Sequence, residues 1–402
     1  MKNSLVYKLF IFVYVVALTA LLVLPSLKYS VTYMEITILS LPFLALILIT
    51  GVNYRKSFLQ IILMLAAMAF LHYVLNSKGN ISSVLNLVVT LYLCILSYFI
   101  CRFLLDLGNE KLIKWVVIAV CLIFAFVFMK TLFALFENPT VVRNLATGDI
   151  TDKYIMYQRM QNVGGFGFAY AIGLFIPYLT TIVIRATSRK KIIATILLVV
   201  LFVFAFLTQY TTLLILTTAF ILYVLIKHGK TPARKIIAIA IIFIVILSFR
   251  NIVLFIAENT KLETLSWHFY DIYYSLSGGE LESSRDEIYI KALRMFLENP
   301  IFGADLTNTY NATFANSSHS TFFARLVEGG IVGVALTYGA IGVCIKSIKS
   351  EIKSSYMAPT FLYLIVLSIL NPITMMEIFV SAMLLVPLIE YLIVKTENEY
   401  AF

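Results

Sequence analysis

A histidine beside a predicted helix start is the residue best placed for acid–base chemistry in this sequence. His319 lies between Ser318 and Ser320 at the end of a polar stretch, and a long apolar run follows directly. A serine cap puts the imidazole at the positive end of that helix, where the dipole disfavours the protonated ring by up to about 1 kcal/mol. We therefore expect a neutral ring that can accept a proton. The alternative is a histidine that only caps the helix or lies among lipid headgroups.

Arg285 is the first candidate for binding an anion. Ser284 and Glu287 have the spacing of a capping box, and apolar residues follow at helical intervals until Asn299–Pro300 ends the pattern. This predicts a short amphipathic helix on the membrane surface. Arg294 lies about half a turn away from Arg285 around that helix, so the two arginines do not bind one phosphate together. Arg285, in the first turn, is the predicted ligand-binding residue.

Arg325 and Glu328 lie three residues apart inside the apolar run that follows His319. Charges at such a depth are costly in a membrane and are usually paired or functional. Two interpretations stay open, an ion pair that faces the helix bundle and a direct role in substrate binding. The glycines Gly329–Gly330 and Gly333 favour close helix packing in the same segment.

A second polar stretch contributes Arg143 and Arg159. Arg159 precedes the glycine-rich segment Gly164–Gly167, which lacks the lysine and the preceding strand of a phosphate-binding loop. We interpret these glycines as a closely packed or broken helix start. Two aspartates, Asp149 and Asp152, have no further acidic cluster to support them, so no metal site is predicted.

The composition indicates that all of these residues belong to a membrane protein. Of the 402 residues, 61% are hydrophobic and only 13% are charged, with a mean hydropathy of +0.94; a soluble domain has about 25% charged residues. Twelve apolar runs are each of about the 17–25 residues that span a bilayer. The predicted fold is an all-α polytopic integral membrane protein with about twelve transmembrane helices, and residues 1–402 form a single membrane domain.

The basic residues predict how these helices are oriented. Of the 31 lysines and arginines, 19 lie in alternate connections or at the termini, which is the positive-inside pattern rather than a nucleic-acid-binding surface. Both termini are therefore predicted to be cytoplasmic, and Lys28 is one of the few lysines on the outer side. A smaller outer loop, 137–162, and a large outer loop, 258–318, are long enough to be functional. The short amphipathic helix lies in the large loop.

From Ser284 to Gly333 the chain resembles the bacterial O-antigen polymerase and O-antigen ligase superfamily. The resemblance rests on Arg285 at the start of an amphipathic helix, on Asn299–Gly303, and on His319–Ser320 before the segment Glu328–Gly333. The number of spans, the cytoplasmic termini and the long outer loop before a late helix also match the plan of that superfamily. No single motif is specific, whereas their order, spacing and side of the membrane are together fairly specific.

The resemblance implies an inverting, metal-independent glycosyltransferase in the bacterial inner membrane, with its active site facing the periplasm. Its donor and acceptor would be undecaprenyl-pyrophosphate-linked glycans, with membrane lipids and a chain-length regulator protein as further partners and without a cofactor. Arg159 and Arg285 would bind the leaving pyrophosphate, and His319 would be the base. Arg325 and Glu328 are further candidates for substrate binding.

One departure favours the polymerase over the ligase. Ligases usually carry an arginine in a turn that corresponds here to Leu207–Thr212, and this turn has none. Either another cation replaces that arginine or the chain is a polymerase. A transporter or flippase of lipid-linked sugars is the alternative from another class, but intramembrane charges such as Glu377 are sparse and most polar residues lie in one outer loop. A non-catalytic scaffold also stays open.

Overall fold

A computed structural model describes residues 5–50, 55–76, 81–147, 152–186, 188–228, 247–277, 285–304 and 320–399, with isolated residues between 232 and 244. All regular structure in these ranges is helical. The first nine helices are α1 (Leu5–Val23), α2 (Pro25–Ser30), α3 (Tyr33–Thr50), α4 (Arg55–Leu71), α5 (Ile81–Leu107), α6 (Glu110–Glu137), α7 (Val141–Thr147), α8 (Lys153–Met160) and α9 (Phe166–Arg185). The others are α10 (Ser188–Leu207), α11 (Thr211–His228), α12 (Phe249–Asn259), α13 (Glu263–Leu276), α14 (Arg285–Glu298), α15 (Thr321–Ile352), α16 (Ala358–Leu370), α17 (Met376–Phe379) and α18 (Val386–Glu399).

Within the described ranges, nine helices are long and apolar enough to cross a membrane, and two shorter apolar helices accompany them. The nine are α1, α4, α5, α6, α9, α10, α11, α15 and the C-terminal helix, in which a π-helical segment joins α17 to α18. The polytopic, all-helical class is therefore confirmed. Six of the 22 residues in the predicted span 236–257 are not described, so the count of twelve stays a prediction.

The core of the bundle lies around α5, α9 and the C-terminal helix. Nearly every residue from Met376 to Leu388 is buried, and α9 packs against α10, α11, α16 and α17. The peripheral helices expose large apolar side chains instead, for example Ile192, Ile193 and Ile196 on α10. Such a surface suits hydrocarbon, because a helix satisfies its own backbone polar groups and its apolar side chains need no water.

Helix α15 is broken at its tenth residue, Gly330. Gly330 has φ +59° and ψ −153°, and the segment after α14 enters the break: Ile331 N–H donates to Pro300 O at 2.9 Å. A Cβ atom at Gly330 would lie 2.5 Å from the carbonyl group of Ile301, so only glycine fits there. Helix α14 itself ends at Glu298, as the Asn299–Pro300 pair predicts. The two parts of the motif that carries the resemblance therefore contact each other.

Candidate functional site

Several loop segments that are far apart in the sequence meet in one cavity of about 540 Å³. We call this end of the bundle, where α1 ends and α9 and α11 begin, the cavity end. The lining comes from α2, α7, the end of α8, the starts of α9 and α11, α13, and the segment between α16 and α17. Its charged residues are Lys28, Arg143, Arg159, Asp271 and Glu377. Three cations face two anions, so the lining has a net charge of +1.

Arg159 is the predicted site residue that lines this cavity. It lies in the last turn of α8 and is only 6% exposed, with its guanidinium carbon 4.2 Å from the centroid of the Tyr29 ring. Its Nη2 donates to Leu145 O at 3.1 Å, while Nη1 is buried without a hydrogen-bond acceptor among the described residues. A buried, unsatisfied guanidinium group needs an explanation, and an anionic ligand is one.

The position of Arg159 follows from how α8 is held against α2. Asp152 caps α8 by accepting a hydrogen bond from Tyr154 N–H at 2.8 Å. At the other end, Asn162 adopts the left-handed conformation, and its Oδ1 accepts from both the backbone N–H and the hydroxyl of Ser26, at 3.1 and 2.7 Å. This contact brings the start of α2 to the end of α8, so the ring of Tyr29 lies against the guanidinium group of Arg159.

Lys28 and Glu377 form an ion pair in the wall of the same cavity. The Lys28 ammonium group donates to both carboxylate oxygens, at 2.9 and 3.1 Å, and the two residues are 6% and 5% exposed. Burial by itself lowers the pKa of Lys28, but the Glu377 carboxylate opposes this and the net shift is upward. Lys28 is therefore charged at neutral pH.

Arg143 contacts the turn between α10 and α11. Its Nη1 donates to Gln209 O at 3.4 Å, and Gln209 has a left-handed φ of 58°. The turn is held against α7 by Gln209 Nε2, which donates to Pro139 O at 2.8 Å, and by the Tyr210 hydroxyl, which donates to Val142 O at 3.0 Å. A cation from another helix thus lies beside the turn that has none of its own.

Two long helices begin at the cavity, and both present polar donors there. The first N–H groups of a helix have no acceptor within the helix and carry partial positive charge, so they favour anions. Gly165, Phe166 and Gly167 line the cavity at the start of α9, and Tyr210–Thr212 line it at the start of α11. Asn371 is 2% exposed, and its Nδ2 has no acceptor among the described residues.

Arg325 and Glu328 do not line this cavity. They form an i,i+3 ion pair of 2.5 Å beside the helix break, which is one of the two interpretations that the sequence left open. Together with His72 they line a separate cavity of about 20 Å³, space for about one water molecule. A direct role for both in the same site as Arg159 therefore has no geometric support.

His319 lies outside the described residues, and so does the side chain of Arg285. Residues close to His319 and Arg285 in the sequence are described, and they lie near the cavity. The Ser320 hydroxyl donates to Ile369 O at 2.6 Å, and Thr321 Oγ1 accepts from Ile373 N–H at 2.8 Å, on either side of the cavity-lining Asn371. One turn after Arg285, the Tyr289 hydroxyl donates to Leu370 O at 3.4 Å.

Comparison with protein-family profiles gave no match, and comparison with characterised proteins gave no relative with significant similarity. The resemblance in the outer loop therefore stays a prediction.

Sequence reasoning chose Arg159 but not Lys28, Glu377, Arg143 or Asn371. A signal was present for two of them, because Lys28 is a rare lysine on the predicted outer side and Glu377 a rare acid in an apolar helix. Neither fact indicates that the two side chains meet.

Proposed function

We propose that the chain joins undecaprenyl-pyrophosphate-linked oligosaccharide repeat units of O-antigen or a related surface polysaccharide on the outer leaflet of the bacterial inner membrane. The reaction is an inverting, metal-independent glycosyl transfer. The observation that carries the proposal is the cavity in which Arg159, Arg143 and two helix starts converge on a volume with a net positive lining. Such a volume suits a diphosphate leaving group.

The location of the cavity supports chemistry at the membrane surface. Its lining comes from segments that the positive-inside pattern assigns to the outer side, and it lies at the end of the bundle rather than at its middle. A lipid-linked donor can then leave its tail in the bilayer while its diphosphate enters the cavity. A transporter with alternating access favours a site near mid-membrane instead.

The roles of the residues follow from their charge and position. Arg159 and Arg143 stabilise the charge that develops on the departing diphosphate. His319 precedes Ser320, which is bonded to the segment beside Asn371, and it acts as the base for the acceptor hydroxyl. Arg285, one turn before Tyr289, supplies a further cation. Arg325 and Glu328 stabilise the helix break that presents this segment.

A ligase that transfers the finished glycan to the lipid A core is the second candidate. Arg143 favours it, because this cation contacts Gln209 in the turn where the ligases carry an arginine. The missing arginine therefore counts less against the ligase than it does from the sequence alone.

The test uses Arg159→Ala and His319→Ala in a strain that lacks the native gene, with Arg294→Ala as the matched control. Arg294 lies exposed on α14, outside the cavity lining. Membrane levels are measured by immunoblot and the products by gel electrophoresis of lipopolysaccharide. We expect both site variants to reach normal levels and to lose polymerisation by on the order of 100-fold, leaving core with a single repeat unit.

Two other outcomes would change the proposed function. Bare core with accumulated lipid-linked polymer would assign the ligase activity instead. A normal ladder from both site variants would overturn the proposal and return the transporter and the scaffold as the leading interpretations.

A further inference from the structure

The Lys28–Glu377 pair lies in the cavity but has no part in the proposed transfer. We infer that it is a displaceable ion pair: the Glu377 carboxylate occupies the place of a phosphate group, and an entering diphosphate takes Lys28 from it. Since it takes the ligand to be the diphosphate of the proposed donor, this role rests on the proposed function.

The Lys28–Glu377 pair is not needed to hold α2 in place. Asn162 already binds Ser26 through two hydrogen bonds, and Arg159 stacks on Tyr29. Both contacts fix α2 against α8 independently of Lys28. A buried ion pair is also a weak source of stability, because taking two charges out of water offsets much of their mutual attraction.

Lys28 and Arg159 both lie beside the aromatic ring of Tyr29. The guanidinium carbon of Arg159 lies 4.2 Å and the ammonium nitrogen of Lys28 5.9 Å from the Tyr29 centroid. The two cations are therefore close enough to bind linked phosphates. Lysine carries a compact charge on a flexible stem, so it can move between acceptors, whereas the stacked arginine is held in one geometry.

Glu377 and an entering diphosphate compete for Lys28. Among the described residues, Glu377 accepts side-chain hydrogen bonds from Lys28 alone, at 2.9 and 3.1 Å. A diphosphate carries more negative charge than one carboxylate, and it finds further donors in the buried and unsatisfied Arg159 Nη1 and Asn371 Nδ2. Both the charge and the number of partners favour the diphosphate over Glu377.

The pair also makes the cavity selective. With Lys28 bound to Glu377, its charge is not offered to a small anion in the resting cavity, where the other lining charges are Arg143, Arg159 and Asp271. A single phosphate group bound at Arg159 does not reach Lys28 as well. Two linked phosphates can engage both cations at once, and we expect them to bind far more strongly than one.

The test titrates the purified full-length protein in detergent with inorganic pyrophosphate, and in a parallel arm with inorganic phosphate, following the shift in thermal unfolding temperature. We expect pyrophosphate, but not phosphate, to raise the unfolding temperature of the wild type. Glu377→Gln removes the competing charge and is expected to bind pyrophosphate about threefold to tenfold more tightly. Lys28→Met is expected to bind on the order of tenfold more weakly.

Two further variants serve as controls for the pyrophosphate titration. Lys28→Met leaves a buried carboxylate unpaired and can lower stability, so Lys28→Met/Glu377→Gln provides a folded reference that is expected to bind as weakly as Lys28→Met. Glu351→Gln removes an acid from an ion pair of Arg102, a residue outside the cavity lining, and is expected to bind like the wild type.

The results separate this role from the proposed function. If Glu377→Gln binds pyrophosphate as the wild type does or more weakly, while Arg159→Ala abolishes binding, the displacement is overturned and the cationic cavity stands. If the wild type binds no pyrophosphate, both are overturned. Equal stabilisation by phosphate and pyrophosphate would contradict the selectivity and with it the displacement.

Discussion

Buried arginines at the two ends of the bundle have different partners. At the end opposite the cavity, Arg102 binds Glu351 at 3.0 Å and Asp106 at 3.1 Å, and Arg185 binds Glu390 at 2.7 Å and also Glu397. At the cavity end, Arg159 is bonded to a backbone carbonyl and to no carboxylate among the described residues. Removing the cation of a buried pair leaves a carboxylate without its counterion, whereas removing Arg159 leaves none behind.

The contacts that hold each end of the bundle together also differ. Ion pairs join α5 to α15 and α9 to α18 at the opposite end. The cavity end contains the Lys28–Glu377 pair as well, and backbone and uncharged groups add contacts there, as in the bonds from Ile331 N–H to Pro300 O and from the Gln209 amide to Pro139 O. Neutral contacts thus hold segments of the cavity end in addition to this pair.

The largest effect on stability is expected from Arg185→Ala. This change leaves Glu390, whose side chain is 0% exposed, without its cation. Breaking a buried pair by removing one partner costs about 3–5 kcal/mol. The free energy of unfolding of the purified protein, or its unfolding temperature in detergent, measures the loss.

Arg159→Ala is the counterpart of this variant at the cavity end. It leaves no buried carboxylate behind, so its cost in unfolding free energy is expected to be well below that of Arg185→Ala. A loss of stability as large as that of Arg185→Ala would mean that Arg159 is a structural residue, and the contrast between the two ends would fail.

The next effect is expected from Gly330→Ala. The backbone at Gly330 has a conformation that other residues avoid, and a Cβ atom would collide with Ile301. We expect a loss of about 2–3 kcal/mol in unfolding free energy, together with weaker pyrophosphate binding, because the backbone contacts of the cavity end are disrupted. Thermal unfolding and the pyrophosphate titration measure the two effects.

Gly342→Ala is the matched control for that change. Gly342 lies in the same helix with nothing within 4 Å of the position that a Cβ atom would take, so alanine is expected to be neutral or stabilising by up to about 1 kcal/mol. Equal losses from both variants would show that α15 responds to any change of glycine and that the break has no special role.

The smallest effect is expected from Lys395→Ala. Lys395 and Glu110 are separated by 3.6 Å, and their side chains are 49% and 43% exposed. Exposed pairs contribute about 0–1 kcal/mol, so the unfolding temperature should barely change. A loss comparable to that of Arg185→Ala would mean that exposure does not determine the strength of ion pairs at this end.

Local features were predicted well from the sequence. The end of α14 follows from Asn299–Pro300, because proline cannot continue a helix, and the Arg325–Glu328 ion pair is one of the two interpretations that its i,i+3 spacing left open. The predicted smaller outer loop 137–162 contains α7 and α8, which the sequence did not indicate. These short helices are held by capping and tertiary contacts, which leave only a weak signal in hydropathy.

The candidate site was predicted only in part. Arg159 was chosen because it is basic, lies in an outer loop and precedes a glycine-rich helix start. Lys28 and Glu377 are 349 positions apart, and no pattern in either segment identifies the other. Arg143 was noted without a partner, and its contact with Gln209 depends on how α7 packs against the turn before α11.

By itself, the sequence determined the all-helical membrane class, most of the spanning segments and the local helix ends. Hydropathy and helical periodicity act within about 20 residues, so these features need no knowledge of distant contacts. Only the tertiary structure decided that α2, α7, α8 and the starts of α9 and α11 meet around one cavity, with the Arg325–Glu328 pair outside it. Such a meeting depends on how whole helices pack, and packing joins residues that share no local pattern.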